Sequence, residues 1–296
     1  MGRPNAGKST LLNAIVGEKI AITSDKPQTT RRAVRGILTR PDAQLVIVDT
    51  PGLHRPRTLL GERLDDLVRS VWSDVDVVGC CLPADERIGP GDRRIVGELA
   101  ERVGPTPVIA VVTKIDKVSR ERLAEQLVAV AALAETVPAC IAEIVPVSAV
   151  SGDGVDVLVD LLIGRLPAGP MLYPDAESTD EPIETRIAEL VREAALDGVR
   201  DELPHSLAAM VTEILPPEPD SAKPVTKVYV TLFVERPSQK PIVLGHKGSR
   251  LSSVGRRARL QIEQLLGTRV YLDLHVAVAK DWQRDPKKLR TLGFGG

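Results

Sequence analysis

The sequence has few of the residues that mark secreted, zinc-binding or membrane-spanning proteins. It holds three cysteines and four histidines in 296 residues. The cysteines show no CxxC spacing and the histidines form no cluster, which argues against a disulfide framework or a structural zinc site. A run of about eighteen apolar residues is absent, and residues 1–15 lack the layout of a secretory signal. We therefore expect neither membrane insertion nor export and assign the chain to the cytoplasm.

Aromatic residues are also scarce: two Trp, three Tyr and two Phe make up 2% of the chain. Proteins that bind RNA by stacking bases on a sheet need several exposed rings, so we disfavour that class. We expect Tyr229 and Tyr271 to be core residues of strands. The total hydrophobic content of 43% is enough for two domains with cores of their own.

Charge is unevenly distributed along the chain, although the net charge is only −1. Residues 171–220 hold 3 Lys and Arg against 13 Asp and Glu, whereas residues 221–296 hold 15 against 5. A basic segment on a neutral protein favours a polyanionic partner, since each neutralised phosphate releases counterions. The same segment could also be a solvated surface, so charge alone leaves the partner open.

Hydrophobic periodicity predicts two domains joined by a linker. In residues 1–167, β-branched runs alternate with amphipathic stretches, which predicts a doubly wound α/β domain with a mainly parallel sheet. Residues 168–182 are rich in proline and acidic residues and form the predicted linker. In residues 183–296 the order becomes helix, two strands, short helix, turn, long helix and strand, which predicts a small α+β domain.

The predicted elements have the following bounds. The strands of the first domain are 33–39, 45–49, 75–82, 108–113 and 144–147, and its helices are 9–16, 61–73, 92–102, 120–136 and 155–166. In the second domain we predict a first helix over 183–196 and strands over 207–215, 226–235 and 269–279.

Residues 2–9 read Gly-Arg-Pro-Asn-Ala-Gly-Lys-Ser and match the pattern G-x-x-x-x-G-K-[ST]. In such a loop, backbone N–H groups surround phosphate oxygens, the lysine neutralises β- and γ-phosphate charge, and the hydroxyl ligates Mg²⁺. The helix that begins at Ser9 adds its positive N-terminus. The pattern predicts a phosphate-binding loop, although one such loop can also arise by chance.

Three further signals lie at the ends of predicted buried strands. Asp49-Thr50-Pro51-Gly52 offers a carboxylate for the metal and a glycine N–H for the γ-phosphate. Thr113-Lys114-Ile115-Asp116 offers a carboxylate that can accept hydrogen bonds from N1 and N2 of guanine, a donor pair that adenine lacks. Ser148-Ala149 offers backbone groups for the base oxygen. Because the carboxyl ends of parallel strands meet at one edge, we predict a single guanine-nucleotide pocket.

With Gln28-Thr29-Thr30-Arg31, these motifs resemble the translation-factor-related GTPases of the TrmE and Era group. The resemblance implies that the chain takes GTP and GDP as ligands and Mg²⁺ as cofactor, and that Thr30, rather than Thr29, joins Ser9 and Asp49 in holding Mg²⁺. It also implies that Asn5 helps to hold a potassium ion. The catalytic residues it implies are Lys8, Thr30, Gly52 and Asn5. The nucleotide-binding residues it implies are Gly2, Asn5, Ala6, Gly7, Lys8, Ser9, Thr10, Asp49, Gly52, Thr113, Lys114, Asp116, Ser148 and Ala149.

The chain departs from that group in two respects, and from Ras-like proteins in a third. Thr113 stands where asparagine is usual, which removes an amide that ties the base loop to the phosphate loop; we expect guanine selectivity to survive through Asp116, with weaker affinity. The phosphate loop begins at residue 2, so the strand expected before it is missing from this sequence, and we suspect a mis-assigned start; a protein that begins at Met1 would lack a central strand of the sheet. Leu53 replaces the water-orienting glutamine of Ras-like proteins, so we expect slow intrinsic hydrolysis.

A second motif, Gly245-His246-Lys247-Gly248, precedes an arginine-rich amphipathic helix in the basic segment. In a KH domain, a GxxG turn approaches the nucleic-acid backbone and clamps about four nucleotides of single-stranded RNA. GxxG alone also fits a plain helix–helix turn, but the element order and the charge favour a type II KH domain. We predict RNA contacts by all four turn residues and by Arg250, Arg256 and Arg257.

A GTPase domain followed by a type II KH domain resembles the Era family over nearly the whole chain. The resemblance implies binding of the 3′ end of 16S ribosomal RNA, a role in assembly of the 30S subunit, and a domain orientation set by GTP. It also implies a monomer and peripheral association with the inner face of the membrane. The alternative is an RNA-binding protein whose degenerate nucleotide domain does not hydrolyse GTP. A tRNA-modification or large-subunit GTPase is disfavoured by the GxxG domain.

Overall fold

The computed structural model describes residues 1–26, 29–52, 58–72, 74–102, 104–137, 141–199, 203–218 and 224–294. The chain forms two compact units, and the main boundary between them falls between Asp180 and Glu181. That boundary lies inside the predicted linker. The segment Ser24–Thr29 comes early in the chain but clusters with the second unit.

The chain up to residue 163 alternates strands and helices as predicted. Its helices are α1 (Lys8–Val16), α2 (Leu59–Trp72), α3 (Pro90–Arg102), α4 (Arg120–Glu135) and α5 (Val155–Ile163). Its strands are β1 (Val34–Thr39), β2 (Gln44–Asp49), β3 (Val78–Pro83), β4 (Val108–Thr113) and β5 (Ile141–Pro146). Predicted and observed ends differ by at most three residues.

The strands of this unit form two sheets in the described part of the chain. Strands β3, β4 and β5 are parallel neighbours in that order, and β1 pairs with β2 in antiparallel fashion. A cavity of about 520 Å³ lies between the two sheets, lined among others by Leu11, Val48, Gly79 and Leu158. The described strands of this unit therefore form two sheets, where the sequence predicted a single one.

Met1 continues the parallel sheet at its β3 edge, beside this cavity. Its amino group donates to the Gly79 carbonyl, and its own carbonyl accepts from the Cys81 N–H at 2.7 Å. This is the hydrogen-bond pattern of a parallel ladder. The residue before the phosphate loop thus occupies a strand position next to β3.

Strand β4 is the centre of the first unit because helices cover both of its faces. All six of its positions are buried, as its Val-Ile-Ala-Val-Val run predicts for a parallel strand. Cys80 and Cys81 on the neighbouring strand are buried in two different apolar clusters and act as packing residues. Cys140 lies outside the described residues.

The second unit contains a three-stranded sheet and five helices among its described residues. Its helices are α6 (Ile183–Leu196), α7 (Leu203–Ser206), α8 (Lys240–Leu244), α9 (Ser249–Leu266) and α10 (Pro286–Thr291). Its strands are β6 (Ala208–Leu215), β7 (Val225–Val234) and β8 (Arg269–Val278), in that spatial order. Strand β7 is antiparallel to β6 and parallel to β8. Helices α7 and α10 were not predicted, because they are too short to show a period.

A buried tryptophan joins the C-terminal segment to this unit. The Trp282 side chain is fully buried, and its Nε1 donates to the Ser206 carbonyl at 3.0 Å. Phe294 stacks on it with ring centroids 5.5 Å apart. Within the ranges given above, no helix has the length and apolar character needed to cross a bilayer.

Candidate functional site

The phosphate loop is held in a tight conformation by glycines and by Lys8. Gly7 has φ 89° and caps α1, and Asn5 has φ 61°. A Cβ on Gly2 would lie 2.5 Å from the Cys81 carbonyl oxygen, so only glycine fits beside β3. Lys8 folds across the loop, with Nζ donating to the carbonyls of Gly2 at 3.1 Å and Arg3 at 2.8 Å.

Two hydroxyls and a carboxylate form the group expected to hold Mg²⁺. The Ser9 hydroxyl donates to Asp49 Oδ2 at 2.5 Å and lies 3.0 Å from Thr30 Oγ1. Thr30 in turn donates to the same carboxylate oxygen at 3.3 Å. Asp49 Oδ1 is buried and has no hydrogen-bond partner among the described residues. A hard cation that prefers oxygen ligands fits this set.

The electrostatics of this group favour binding of a cation and of phosphate. Burial raises the pKa of the Asp49 carboxyl, while the Lys8 charge and the Ser9 hydroxyl oppose the rise. Burial likewise lowers the pKa of Lys8, and Asp49 opposes that change. Both charges are therefore costly in the free protein, and a bound metal ion and phosphate groups would relieve that cost.

The structure separates the two candidate threonines. Thr30 lies in the Ser9–Asp49 group, whereas the Thr29 hydroxyl donates to the Lys26 carbonyl at 2.7 Å. Within the second unit, buried Arg192 donates to the Thr29 carbonyl. This arrangement agrees with the choice of Thr30 as the metal ligand.

The base loop follows β4. Asp116 is exposed, and its Oδ1 accepts a hydrogen bond of 2.6 Å from the Ser148 hydroxyl, which links the two loops predicted to hold the base. Ser148 Oγ also accepts from the Ser151 N–H at 3.1 Å. Lys114 has φ 60°, and its Nζ lies 3.3 Å from Asp85 Oδ1. Ser148 thus orients the carboxylate that we expect to accept from the guanine edge.

Thr113 keeps a link that we expected to be lost with the missing asparagine. Its hydroxyl donates to the Ala6 carbonyl at 2.7 Å, and the bond is buried. The base loop is therefore tied to the phosphate loop by a hydroxyl in place of an amide. The expectation that this tie is absent was wrong.

The other predicted residues of the pocket belong to the same unit. A Cβ on Gly52 would lie 2.8 Å from the Pro4 backbone nitrogen, so the segment after Asp49 passes close to the phosphate loop. Thr10 is half-buried in α1, and Ala149 is half-buried after Ser148. Gln28, Leu53 and His54 lie outside the described residues.

In the second unit, the GxxG turn joins α8 to α9. Gly245 and Gly248 have φ 72° and 78°, and Lys247 has φ 49°. His246 and Lys247 are exposed between them. Apart from its chain neighbours, no heavy atom of the described residues lies within 4 Å of a Cβ placed on Gly248, whereas one on Gly245 would lie 2.9 Å from the Arg250 backbone nitrogen. Gly248 therefore borders open space at the start of α9, where a phosphate could approach the helix N-terminus.

Two of the arginines predicted to contact RNA are hydrogen-bonded to the end of α6. Arg250 donates to the carbonyls of Ala195 at 3.1 Å and Asp197 at 2.7 Å. Arg257 donates to the Ala194 carbonyl at 2.7 Å and to the Asp197 carboxylate. These guanidinium groups satisfy carbonyls at the C-terminal end of a helix. Their positions indicate a structural role.

Arg256 instead lines an open groove between α9 and β8. The groove has a volume of about 610 Å³ and extends from Gly248 past Arg256 and Arg259 to Arg269 and Tyr271. Tyr271 is 52% exposed, so the expectation that it is a core residue was wrong. The predicted RNA-contact set did not include Arg259, Arg269 or Tyr271. The alternation along β8 was the available signal, because Arg269 and Tyr271 share a face.

Comparisons with known proteins match both parts of the chain. Residues 1–114 match the family model described as 50S ribosome-binding GTPase, and residues 202–283 match the KH domain model. GTPase Era of Streptomyces coelicolor is 61% identical over 295 residues, which cover 99% of this chain and 93% of that protein. GTPase Era of Mycobacterium tuberculosis is 60% identical over 296 residues, which cover 99% of this chain and 96% of that protein.

Two solved structures have the same fold over the full chain. One is Era in complex with MgGDPNP and nucleotides 1506–1542 of 16S ribosomal RNA, with a TM-score of 0.92 and 36% identity, covering 100% of this chain and 97% of that one. The other is a variant of Aquifex aeolicus Era bound to GDP and AlF4−, with a TM-score of 0.91, 36% identity and the same coverage. Because its relatives named GTPase Era are about 60% identical over 99% of its length, the chain belongs to the Era family of GTPases.

Proposed function

We propose that this chain is a GTP-hydrolysing switch that binds 16S ribosomal RNA near its 3′ end and acts in assembly of the 30S subunit. The observation that carries the proposal is the grouping of Lys8, Ser9, Thr30 and Asp49 beside a base loop with Asp116, in a chain whose second unit presents a GxxG turn. The Era structure with MgGDPNP and 16S RNA supports the same pairing of ligands.

The first unit supplies distinct groups for the phosphates and the base. The N–H groups of the phosphate loop and the α1 N-terminus face phosphate oxygens, and Lys8 exchanges its two carbonyl partners for phosphate charge. Asp116, oriented by Ser148, accepts from the guanine edge. Gly52 offers its N–H close to the phosphate loop, where a γ-phosphate would be sensed.

Ser9, Thr30 and Asp49 would hold Mg²⁺, and the partnerless Oδ1 of Asp49 offers it a free ligand atom in the described part of the chain. When bound, Mg²⁺ neutralises charge on the phosphates. A potassium ion at Asn5 is part of the proposal as well. Asn5 is exposed at the outer turn of the loop, where a monovalent ion has access. Faster GTP hydrolysis in KCl than in NaCl would support that role.

The second unit supplies the RNA clamp. We assign backbone contacts to the turn formed by Gly245, His246, Lys247 and Gly248, and phosphate contacts to Arg256 at the adjacent groove. Arg259 and Arg269 line the same groove and join this set. Because Arg250 and Arg257 are bonded to α6, we leave them out of the contact set.

The proposal is tested by measuring binding of a fluorescent RNA with the sequence of the 16S 3′ end, in the presence of GDP or a non-hydrolysable GTP analogue. A scrambled RNA of equal length and composition is the control. We expect tighter binding of the 16S sequence and a difference between the nucleotide states. Equal binding of both RNAs would refute the assignment to 16S RNA. The monomeric state, the cytoplasmic location and the peripheral membrane association stay predictions.

A further inference from the structure

Thr113 lies where two functional loops of the first unit meet. It is the last residue of β4 and is only 3% exposed. Its hydroxyl donates to the Ala6 carbonyl at 2.7 Å, across 107 positions of sequence. Its Cβ and Oγ1 are each 3.5 Å from the place where a Cβ on Gly7 would be. The side chain therefore supports the phosphate loop directly beneath its tightest turn.

The carbonyl that Thr113 holds shares a peptide plane with a phosphate donor. The peptide unit is planar and trans, so the Ala6 C=O and the Gly7 N–H point in opposite directions. A hydrogen bond that fixes the carbonyl towards Thr113 also fixes the Gly7 N–H towards the other side of the loop. Ala6 lies between Asn5 and Gly7, which both have positive φ, so without that bond this peptide could rotate.

A hydroxyl has one proton to donate, and here it is committed to Ala6. Guanine presents N7 and O6 as acceptors, in addition to the N–H donors that Asp116 can bind. An asparagine amide has two protons and could serve both a loop carbonyl and a base acceptor. In this chain the side chain at position 113 has no proton left for the base.

We propose that Thr113 is a positioning residue that aims the Gly7 N–H at the nucleotide phosphates, and that it takes no part in reading the base. The inference rests on the proposed guanine-nucleotide site. It explains how the chain keeps an ordered phosphate loop without the usual asparagine. It also predicts that recognition of guanine depends on its N–H donors and is indifferent to N7.

The first test compares Thr113→Val, which keeps the shape and removes the hydroxyl, with Thr113→Ser, which keeps the hydroxyl. Affinities for GDP and guanosine are measured by displacement of a fluorescent guanine nucleotide. We expect Thr113→Val to bind GDP about tenfold more weakly, with guanosine affinity unchanged, because the loss lies at the phosphates. Thr113→Ser should remain within about threefold of the unmodified chain. Equal losses for GDP and guanosine would overturn the positioning role.

The second test uses 7-deaza-GDP, which lacks the N7 acceptor. The unmodified chain should bind it as tightly as GDP, whereas Thr113→Asn should prefer GDP. A clear preference of the unmodified chain for GDP would overturn the claim about the base. The comparison of GDP with 7-deaza-GDP uses the unmodified chain, so it tests the claim about N7 even if Thr113→Val fails to fold. Equal affinity for GDP and ADP would instead contradict the proposed guanine-nucleotide site. Failure of that site can therefore be distinguished from failure of the role proposed for Thr113.

Discussion

Replacing Asp49 by asparagine should stabilise the nucleotide-free protein and abolish its response to Mg²⁺. The side chain is 4% exposed, and its Oδ1 has no partner in the described structure. A buried acceptor without a partner costs about 1–3 kcal/mol. Asparagine removes the buried charge, and its amide can donate to the Ser9 or Thr30 hydroxyl. The lost attraction to Lys8 acts in the opposite direction, but burial outweighs it in the raised pKa of this carboxyl, so we expect a net gain of about 1 kcal/mol.

The stability that Asp49→Asn gains over the unmodified chain should increase with pH. Burial raises the pKa of Asp49 above its ordinary value of 3.8, so the folded state holds this proton more tightly than the unfolded state. The contribution of Asp49 to stability therefore falls as pH rises from 3.8 through the raised pKa. Asparagine has no titrating proton, so the difference in stability between Asp49→Asn and the unmodified chain should grow from pH 3.8 to the raised pKa of Asp49 and level off above it.

Thermal unfolding of the nucleotide-free protein in EDTA between about pH 5 and 8 measures this effect, with an expected rise in midpoint of about 2–4 °C at pH 8. Asp116→Asn is the matched control, because Asp116 is exposed and its loss should leave the midpoint nearly unchanged. With GDP bound, adding Mg²⁺ should raise the midpoint of the unmodified chain but not of Asp49→Asn. A less stable Asp49→Asn variant, or one that still responds to Mg²⁺, would refute the reasoning.

Three further predictions concern the RNA clamp and the divided sheet. Gly248→Asp should weaken RNA binding about tenfold, because its carboxylate repels the phosphate. Gly248→Asn is the matched control: it fits the same open space, tolerates positive φ equally well and should weaken binding less than about threefold. Equal losses in a filter-binding assay would exclude a charge effect. Arg256→Ala should reduce the slope of log RNA affinity against log salt concentration by about one. Arg257→Ala should lower the unfolding midpoint and leave that slope unchanged. The reverse pattern would contradict the assignment of Arg256 to RNA and of Arg257 to the fold. A six-residue extension with alternating apolar residues, added before Met1, should raise the unfolding midpoint more than a Gly-Ser extension of equal length, since the cavity beside β3 accepts a strand. Equal midpoints for the two extensions would argue against a strand site in this cavity.

Much of the first unit follows from local patterns. The continuous apolar run of β4 predicts a strand covered on both faces, and the observed strand has the same bounds and is buried throughout. Ser9 and Asp49 were expected to meet because the phosphate loop and a strand end lie at the same edge of the sheet, and a 2.5 Å hydrogen bond joins them. Periodicity and strand-end position are local signals, so one sequence is enough to show them.

The roles of individual polar side chains depended on distant partners and could not be predicted. The bond between Thr113 and Ala6 spans 107 residues, and no local pattern shows that a hydroxyl there reaches a particular carbonyl. Arg250 and Arg257 have the same charge as Arg256, but α6 ends beside the first two and the groove opens beside the third. Charge counting cannot distinguish an arginine that caps a helix from one that faces a ligand.

The most direct test of the account is the selectivity of the nucleotide site. Purified protein with Mg²⁺ and a fluorescent guanine nucleotide is titrated with unlabelled GDP and, separately, with ADP. If Asp116 accepts from the guanine edge while Lys8 and the Ser9–Thr30–Asp49 group hold the phosphates, GDP should compete at least about a hundredfold better than ADP. Equal competition by the two nucleotides would contradict the guanine site.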